Sequence, residues 1–103
     1  MVTYDIFENT VVFEFNSPAK ECGYIAETFE KAHSVYTRTV ESFLCENNAI
    51  DLVPFIAGRI VGILHQKARE IPLDYLQKLT VNGEKLWCID DGYAVTLLFP
   101  EDY

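Results

Sequence analysis

The segment from Leu52 to Arg69 constrains the fold most, because its apolar residues cover nearly the whole circumference of a helix. These residues are Leu52, Val53, Phe55, Ile56, Ile60, Val61, Ile63 and Leu64. A helix with this pattern lies at the centre of a fold, or between a core and a second chain. Ala57, Gly58 and Gly62 add small positions at which another backbone can come close, and core packing is the favoured explanation for them.

The composition is that of one folded domain over residues 1–103. Half of the residues are hydrophobic and 23% are charged, whereas disordered chains combine low hydrophobicity with high net charge. Sixteen Asp and Glu against eight Lys and Arg give a formal net charge of −8. Residues 1–51 carry −6, residues 52–85 carry +2 and residues 86–103 carry −4. Two acidic ends therefore flank a mildly basic middle.

Both ends of the chain show the alternation of β-strands. Val2, Tyr4 and Ile6 alternate, as do Val11, Phe13 and Phe15, and Glu8-Asn9 is the predicted turn between them. Asn82-Gly83 predicts a second hairpin, and Asp90-Asp91-Gly92 turns its second strand into one over residues 93–99. The predicted fold class is α+β: an antiparallel sheet from N-terminal and C-terminal hairpins, with two main central helices packed on one face. Whether the terminal hairpins share one sheet stays open.

The first of these helices is predicted from a three- and four-residue apolar spacing between residues 18 and 45. The spaced residues are Cys22, Ile25, Phe29, Ala32, Tyr36, Val40 and Phe43. A helix from Pro18 to Cys45 would be ~42 Å long, which exceeds a comfortable length for this domain. It therefore begins after Gly23 or projects towards a partner. Residues 46–48 end it, Asp51 caps the next helix, and residues 73–79 form a helical turn or two.

Metal and cofactor sites are not expected. Cys22, Cys45 and Cys88 are widely spaced, and with His33 and His65 they show no zinc-ligand spacing. Glu30-x-x-His33 resembles one half of a di-iron motif, but its second half is absent. Cys22 and His33 would lie ~16 Å apart on one helix, beyond hydrogen-bond reach.

No catalytic motif points to an enzyme, and we expect none. His65 with Cys45 or Cys88 is a geometrically open pair that nothing in the sequence recommends, and Asp90-Asp91 is first of all a turn. A small-ligand module or an enzyme without a recognisable motif, with its pocket near Trp87, Tyr36 or His65, is the third hypothesis. It requires a deep polar cleft with at least two ionisable groups.

The chain is expected to work in the cytoplasm. Its first residues lack the basic and apolar regions of a signal peptide, and residues 52–64 fall short of the ~20 residues of a membrane span. An odd number of unpatterned cysteines favours a reducing compartment. Direct binding to nucleic acid is disfavoured, because a net charge of −8 repels phosphate.

The leading functional hypothesis is a non-catalytic protein that binds a basic surface of another protein. Small acidic proteins of phages or mobile elements, including inhibitors and nucleic-acid mimics directed at basic nucleic-acid-binding proteins, have this size and charge. Electrostatic complementarity speeds such encounters and selects partners. The candidate acidic surface consists of Glu27, Glu30, Glu41, Asp90, Asp91, Glu101 and Asp102.

Self-association is the alternative hypothesis. The chain would then be a structural or adaptor protein, a homodimer formed through the apolar second helix. The residues predicted to make the contact are Gly58, Arg59 and Gly62. The two glycines are small positions at which another backbone can come close.

Overall fold

The computed structural model describes residues 1–17, 29 and 34–103, and its fold is α+β. The strands are β1 (Val2–Ile6), β2 (Asn9–Glu14), β3 (Ser34–Tyr36), β4 (Leu76–Val81), β5 (Glu84–Asp90) and β6 (Val95–Leu98). The helices are α1 (Arg38–Cys45) and α2 (Val53–Glu70), and short 3-10 turns cover Ile50–Leu52 and Pro100–Asp102. The predicted fold class is confirmed.

All six strands belong to one sheet, in the order β1-β2-β4-β5-β6-β3. The N-terminal hairpin joins the C-terminal strands through antiparallel pairing of β2 with β4, where Val11 lies opposite Val81 and Phe13 opposite Leu79. This pairing resolves the arrangement of hairpins that the sequence left open. At the far edge, β3 pairs with β6 in parallel.

Helix α2 provides the centre of the core, as its composition predicts. Seven of its side chains are buried, namely Val53, Ile56, Ala57, Ile60, Val61, Ile63 and Leu64. They share one hydrophobic cluster with inward-facing strand residues such as Val11, Phe13 and Leu86. The helix is nevertheless not buried all round, because Phe55, Gly58, Arg59 and Gly62 are exposed.

The predicted first helix is confirmed over its last part, residues 38–45, and is wrong at Phe29 and at residues 34–36. Helix α1 begins only at Arg38, and Ser34–Tyr36 form β3 instead. Thr37 ends the strand and caps the helix, since its side chain accepts the N–H of Val40. Phe29 has a φ of 58°, which no α-helix contains. Tyr36 matched the helical spacing, but Val35 and Tyr36 are both β-favouring residues. The rest of the predicted helix, residues 18–28 and 30–33, lies outside the described residues.

Three local predictions also need correction. Asp51 does not cap α2, because it lies within the 3-10 turn that precedes the helix, and no side chain caps that helix. The helical turn expected at residues 73–79 is largely strand β4. The first hairpin turns at Phe7 and Glu8, which have φ of 49° and 68°, and not at Glu8-Asn9. The Asn82-Gly83 turn is confirmed, with φ of 51° and 87°.

Two glycine substitutions should have opposite effects on stability. Gly83→Ala should destabilise the fold by about 1 kcal/mol, because alanine is strained at a φ of 87°. Gly58→Ala should stabilise it by about 0.5–1 kcal/mol, because Gly58 is an exposed helical residue with open space around it. Urea unfolding followed by the fluorescence of the single tryptophan measures both. Effects of the same sign would contradict these backbone assignments.

Candidate functional site

A cluster of three asparagines joins three connections of the chain. Asn9 is 3% exposed, and its side-chain Nδ2 donates to the carbonyl of Ile6 at 3.0 Å and to Oδ1 of Asn48 at 3.0 Å. Its Oδ1 accepts from Nδ2 of Asn48 at 3.1 Å and from Nδ2 of Asn82 at 2.9 Å. Asn82 in turn accepts the backbone N–H of Thr10. We call Asn9, Asn48 and Asn82 the asparagine clasp.

The clasp gathers the connections at one end of the sheet. It holds the β1–β2 turn, the α1–α2 connection and the β4–β5 turn together, and the 3-10 turn after β6 follows at the same end because β5 and β6 are antiparallel. Six carboxylates occur in these connections, and we call them the acidic end: Glu8, Glu46, Asp51, Glu84, Glu101 and Asp102. All six belong to exposed residues.

Large apolar side chains are exposed beside these carboxylates. Phe7 in the β1–β2 turn is 47% exposed, Ile50 before α2 is 62% exposed, and Phe55 in the first turn of α2 is 64% exposed. The hydrogen bonds between Asn9 and Asn48 bring the Phe7 turn next to the Ile50 turn. Exposed apolar groups with a charged surround are typical of a surface that binds another protein.

The chain around Phe99 forms the second half of this end. Two shallow concavities of about 680 and 460 Å³ share Thr39 and Phe99 in their walls. The ring of Phe99 meets that of Phe43 edge to face, with centroids 5.6 Å apart. Glu84 and Glu101 line one concavity and Glu46 lines the other, while Lys85 and Arg38 add one cation to each. The surface is therefore mixed in charge, with acid in excess.

Asp102 is the most constrained carboxylate of the acidic end. Its Oδ2 accepts hydrogen bonds from the hydroxyls of Thr39 and Thr37 and from the backbone N–H of Phe99. The hydrogen bond from Thr39, followed by those from Phe99 and Thr37, lowers the pKa of Asp102 below its usual value. Asp102 thus stays ionised while it ties the C-terminal turn to the start of α1.

The predicted acidic residues do not form one surface. Glu101 and Asp102 lie at the acidic end, and Glu41 lies half-buried on α1 beside it. Asp90 and Asp91 lie at the opposite end of the sheet, where they shape a turn: Asp90 accepts the N–H of Gly92, and Asp91 accepts those of Tyr93 and Ala94. Glu27 and Glu30 lie outside the described residues.

Sequence reasoning missed four members of the acidic end: Glu8, Glu46, Asp51 and Glu84. Glu8 belongs to a predicted turn, Glu46 to the predicted end of the first helix and Asp51 to a predicted cap, while Glu84 follows a predicted turn, so their exposure was readable from the sequence. Their proximity was not, because it depends on the pairing of β2 with β4 and on the asparagine clasp.

The predicted self-association residues lie together on one exposed strip of α2. Gly58 and Gly62 are one helical turn apart, Arg59 lies between them, and a methyl group added at either glycine would meet nothing within 4 Å. Seven of the apolar residues of α2 are buried in the core of the same chain, whereas Phe55 is exposed.

Cys88 is buried and His65 is half-buried in the described chain. Burial raises the pKa of the Cys88 thiol, so this thiol stays protonated and is a poor nucleophile. Nδ1 of His65 lies 2.7 Å from the carbonyl oxygen of Phe29. Residues 1–17, 29 and 34–103 contain no group of three potential metal ligands. Cys22, Glu30 and His33 lie outside those ranges.

Comparison of the chain with protein-family models, curated proteins and solved structures found no match. In the described part of the chain, no helix has the length and apolar character needed to cross a membrane.

Replacing Asn9 should weaken the whole molecule. Asn9→Ala removes a buried amide and leaves the groups it pairs with unsatisfied, so the free energy of unfolding should fall by about 1–3 kcal/mol. Asn47→Ala is the control, since Asn47 is an exposed neighbour outside the clasp, and it should change stability by less than about 0.5 kcal/mol. Equal effects in urea unfolding would contradict the role of the clasp.

The pKa of Asp102 provides a direct test of the C-terminal turn. A carbon-detected NMR titration should place the pKa of Asp102 below the ordinary value for aspartate. Thr39→Val should raise this pKa, because it removes the hydrogen bond that lowers the pKa most. Because the folded pKa is lowered, the stabilisation exists above the unfolded pKa and disappears as pH falls through the folded pKa. The part of the stability difference between wild type and Thr39→Val that comes from ionised Asp102 should therefore vanish at pH values below the folded pKa. Ser42→Ala, an exposed change on α1, is the control; a Thr39→Val variant with unchanged pKa contradicts the assignment.

Proposed function

We propose that this chain acts without catalysis, by binding a basic surface of another protein through its acidic end. The observation that supports the proposal is the combination of six carboxylates with three exposed apolar side chains, Phe7, Ile50 and Phe55, at one end of the sheet. The clasp and the bonds of Asp102 hold the connections in place before any partner arrives. Such preorganisation lowers the entropic cost of binding.

The two kinds of side chain have different tasks in this proposal. Carboxylates attract a basic partner over a distance of about 10 Å at ordinary salt concentration and increase the association rate. Apolar side chains supply most of the binding energy once the partner has docked, because a few central residues dominate an interface. Added salt should therefore lower the association rate. Truncation of the apolar side chains should shorten the lifetime of the complex.

Our proposed partner class is a basic nucleic-acid-binding protein, which the chain would inhibit in the manner of small acidic proteins of phages and mobile elements. The acidic end spans between three and four strand spacings, roughly 17 Å. Duplex DNA carries one charge per ~1.7 Å of axis, so the same length holds ~10 phosphates. With six carboxylates and nearby cations, the end is too sparse to copy a duplex. It better suits a single basic loop or helix. We propose the cytoplasm as its location, which the free thiols of Cys45 and Cys88 in the described part of the chain favour.

Capture on immobilised protamine, an arginine-rich protein, tests the electrostatic part. The double variant Glu46→Lys/Glu84→Lys should reduce the affinity at least tenfold, because both residues belong to the acidic end. Glu14→Lys/Glu70→Lys is the matched control: it makes the same charge change at exposed residues away from the acidic end. It should reduce affinity by less than about threefold.

Two outcomes would contradict the proposal. Equal losses in the double variant and its control would mean that net charge alone drives capture. Capture that does not weaken between low and high salt would exclude the electrostatic mechanism.

Ile50→Ser should weaken binding with no change in its salt dependence, since Ile50 is an exposed apolar residue whose loss removes no charge.

A further inference from the structure

Strand β1 leaves one side of its backbone available for pairing. It pairs with β2 on one side and stands at the edge of the sheet, so among the described residues no strand pairs with its other side. Its register with β2 is continuous from Val2 to Ile6, without a bulge, and it contains no proline. Proteins commonly protect edge strands with bulges or prolines, because unpaired N–H and C=O groups accept a further strand. Strand β1 has neither of these protections.

A groove of about 370 Å³ lies beside this edge, between β1 and α2. Tyr4 and Phe15 form part of its apolar wall, and Gly62 opens its helical side, since a methyl group there would meet nothing within 4 Å. Val2 and Tyr4 of β1 line this groove, whereas Thr3 and Asp5 are exposed on the opposite face of the sheet.

The groove has a charge opposite to that of the chain as a whole. Arg59 and Lys67 line it together with one carboxylate, Glu70. Lys67 is partly engaged, with Nζ 3.7 Å from Oε2 of Glu70 and 5.3 Å from the ring centroid of Phe15. Two cations and one anion leave an excess of positive charge in a chain whose formal net charge is −8.

We propose that β1 and this groove bind an extended acidic peptide, which adds a seventh strand to the sheet. Main-chain hydrogen bonds to β1 would supply affinity, and alternate side chains would enter the groove. Arg59 and Lys67 are eight residues apart on α2, about 12 Å. Same-face side chains of a strand repeat every ~6.8 Å, so two steps match that distance. The peptide therefore carries Asp or Glu at positions i and i+4, with an apolar residue at i+2 over Gly62.

A second copy of this chain is a poorer occupant. Antiparallel pairing of two β1 strands about Tyr4 would bring Val2, Tyr4 and Ile6 to the groove, and none of them can neutralise a cation. It would also place Arg59 of one copy near Lys67 of the other, because these residues lie towards opposite ends of the groove. Like charges at such a contact oppose association.

A labelled peptide of sequence Thr-Glu-Thr-Val-Thr-Glu-Thr is the probe, and fluorescence anisotropy measures its binding to the full chain. The net charge of the protein opposes this binding, so a signal must come from local groups. We expect binding that weakens at least tenfold when both Glu residues are replaced by Gln, and similarly in Arg59→Glu. Arg69→Glu, on the same helix but outside the groove, is the control. Hydrogen exchange of β1 amides should slow on binding.

Gly62→Leu separates binding from folding. Leucine favours helix more than glycine does, and a Cβ at this exposed position meets nothing within 4 Å, so the variant should fold at least as stably as the wild type. The same side chain fills the groove and should abolish peptide binding. Unchanged binding to this variant, or no binding to the folded wild type, overturns the proposal. A doubling of mass in the wild type that Gly62→Leu abolishes also overturns it, by assigning the edge to a second copy.

Discussion

The hydrogen bonds of the Asn9 side chain are the interaction on which the rest of the molecule depends. Asn9 is buried at the start of β2. Its side-chain amide forms hydrogen bonds with Asn48 and Asn82, which lie 39 and 73 positions later in the chain. A buried amide without partners would destabilise the fold, so the two hairpin turns and the α1–α2 connection must come together for Asn9 to be satisfied. The same bonds that satisfy the amide assemble the acidic end.

Gln77 has the equivalent role at the opposite end of the sheet. This fully buried side chain accepts the N–H of Asn16 at 2.9 Å and donates to the carbonyls of Asn16 and Asp74 at 2.8 and 2.9 Å. It thereby joins the end of β2 to the connection that follows α2. Asn9 and Gln77 are the buried polar residues of the described chain, and between them the core is apolar. Directional bonds fix the two ends, while non-directional packing of α2 fills the space between.

Local patterns predicted the parts of the fold that local physics determines. The Asn82-Gly83 turn and the apolar helix α2 were readable because turn conformation and helical burial follow from neighbouring residues. Strand β3 was not, because Val35 and Tyr36 extend only through parallel pairing with β6, about sixty residues later. Asn9 was taken for a turn residue, as its type suggests. The acidic end was likewise hidden, since its residues meet only through long-range pairing.

Zero-length cross-linking with a carbodiimide would show directly whether the acidic end contacts a partner, because the reagent joins Asp or Glu carboxylates to lysine amines that already touch. The chain would be cross-linked to the protein recovered with it from its native cell, and the joined peptides sequenced by mass spectrometry. We expect the partner's lysines to be joined to Glu8, Glu46, Asp51, Glu84 or Glu101. Joined peptides confined to Glu14, Asp74, Asp90 or Asp91, away from the acidic end, would contradict it.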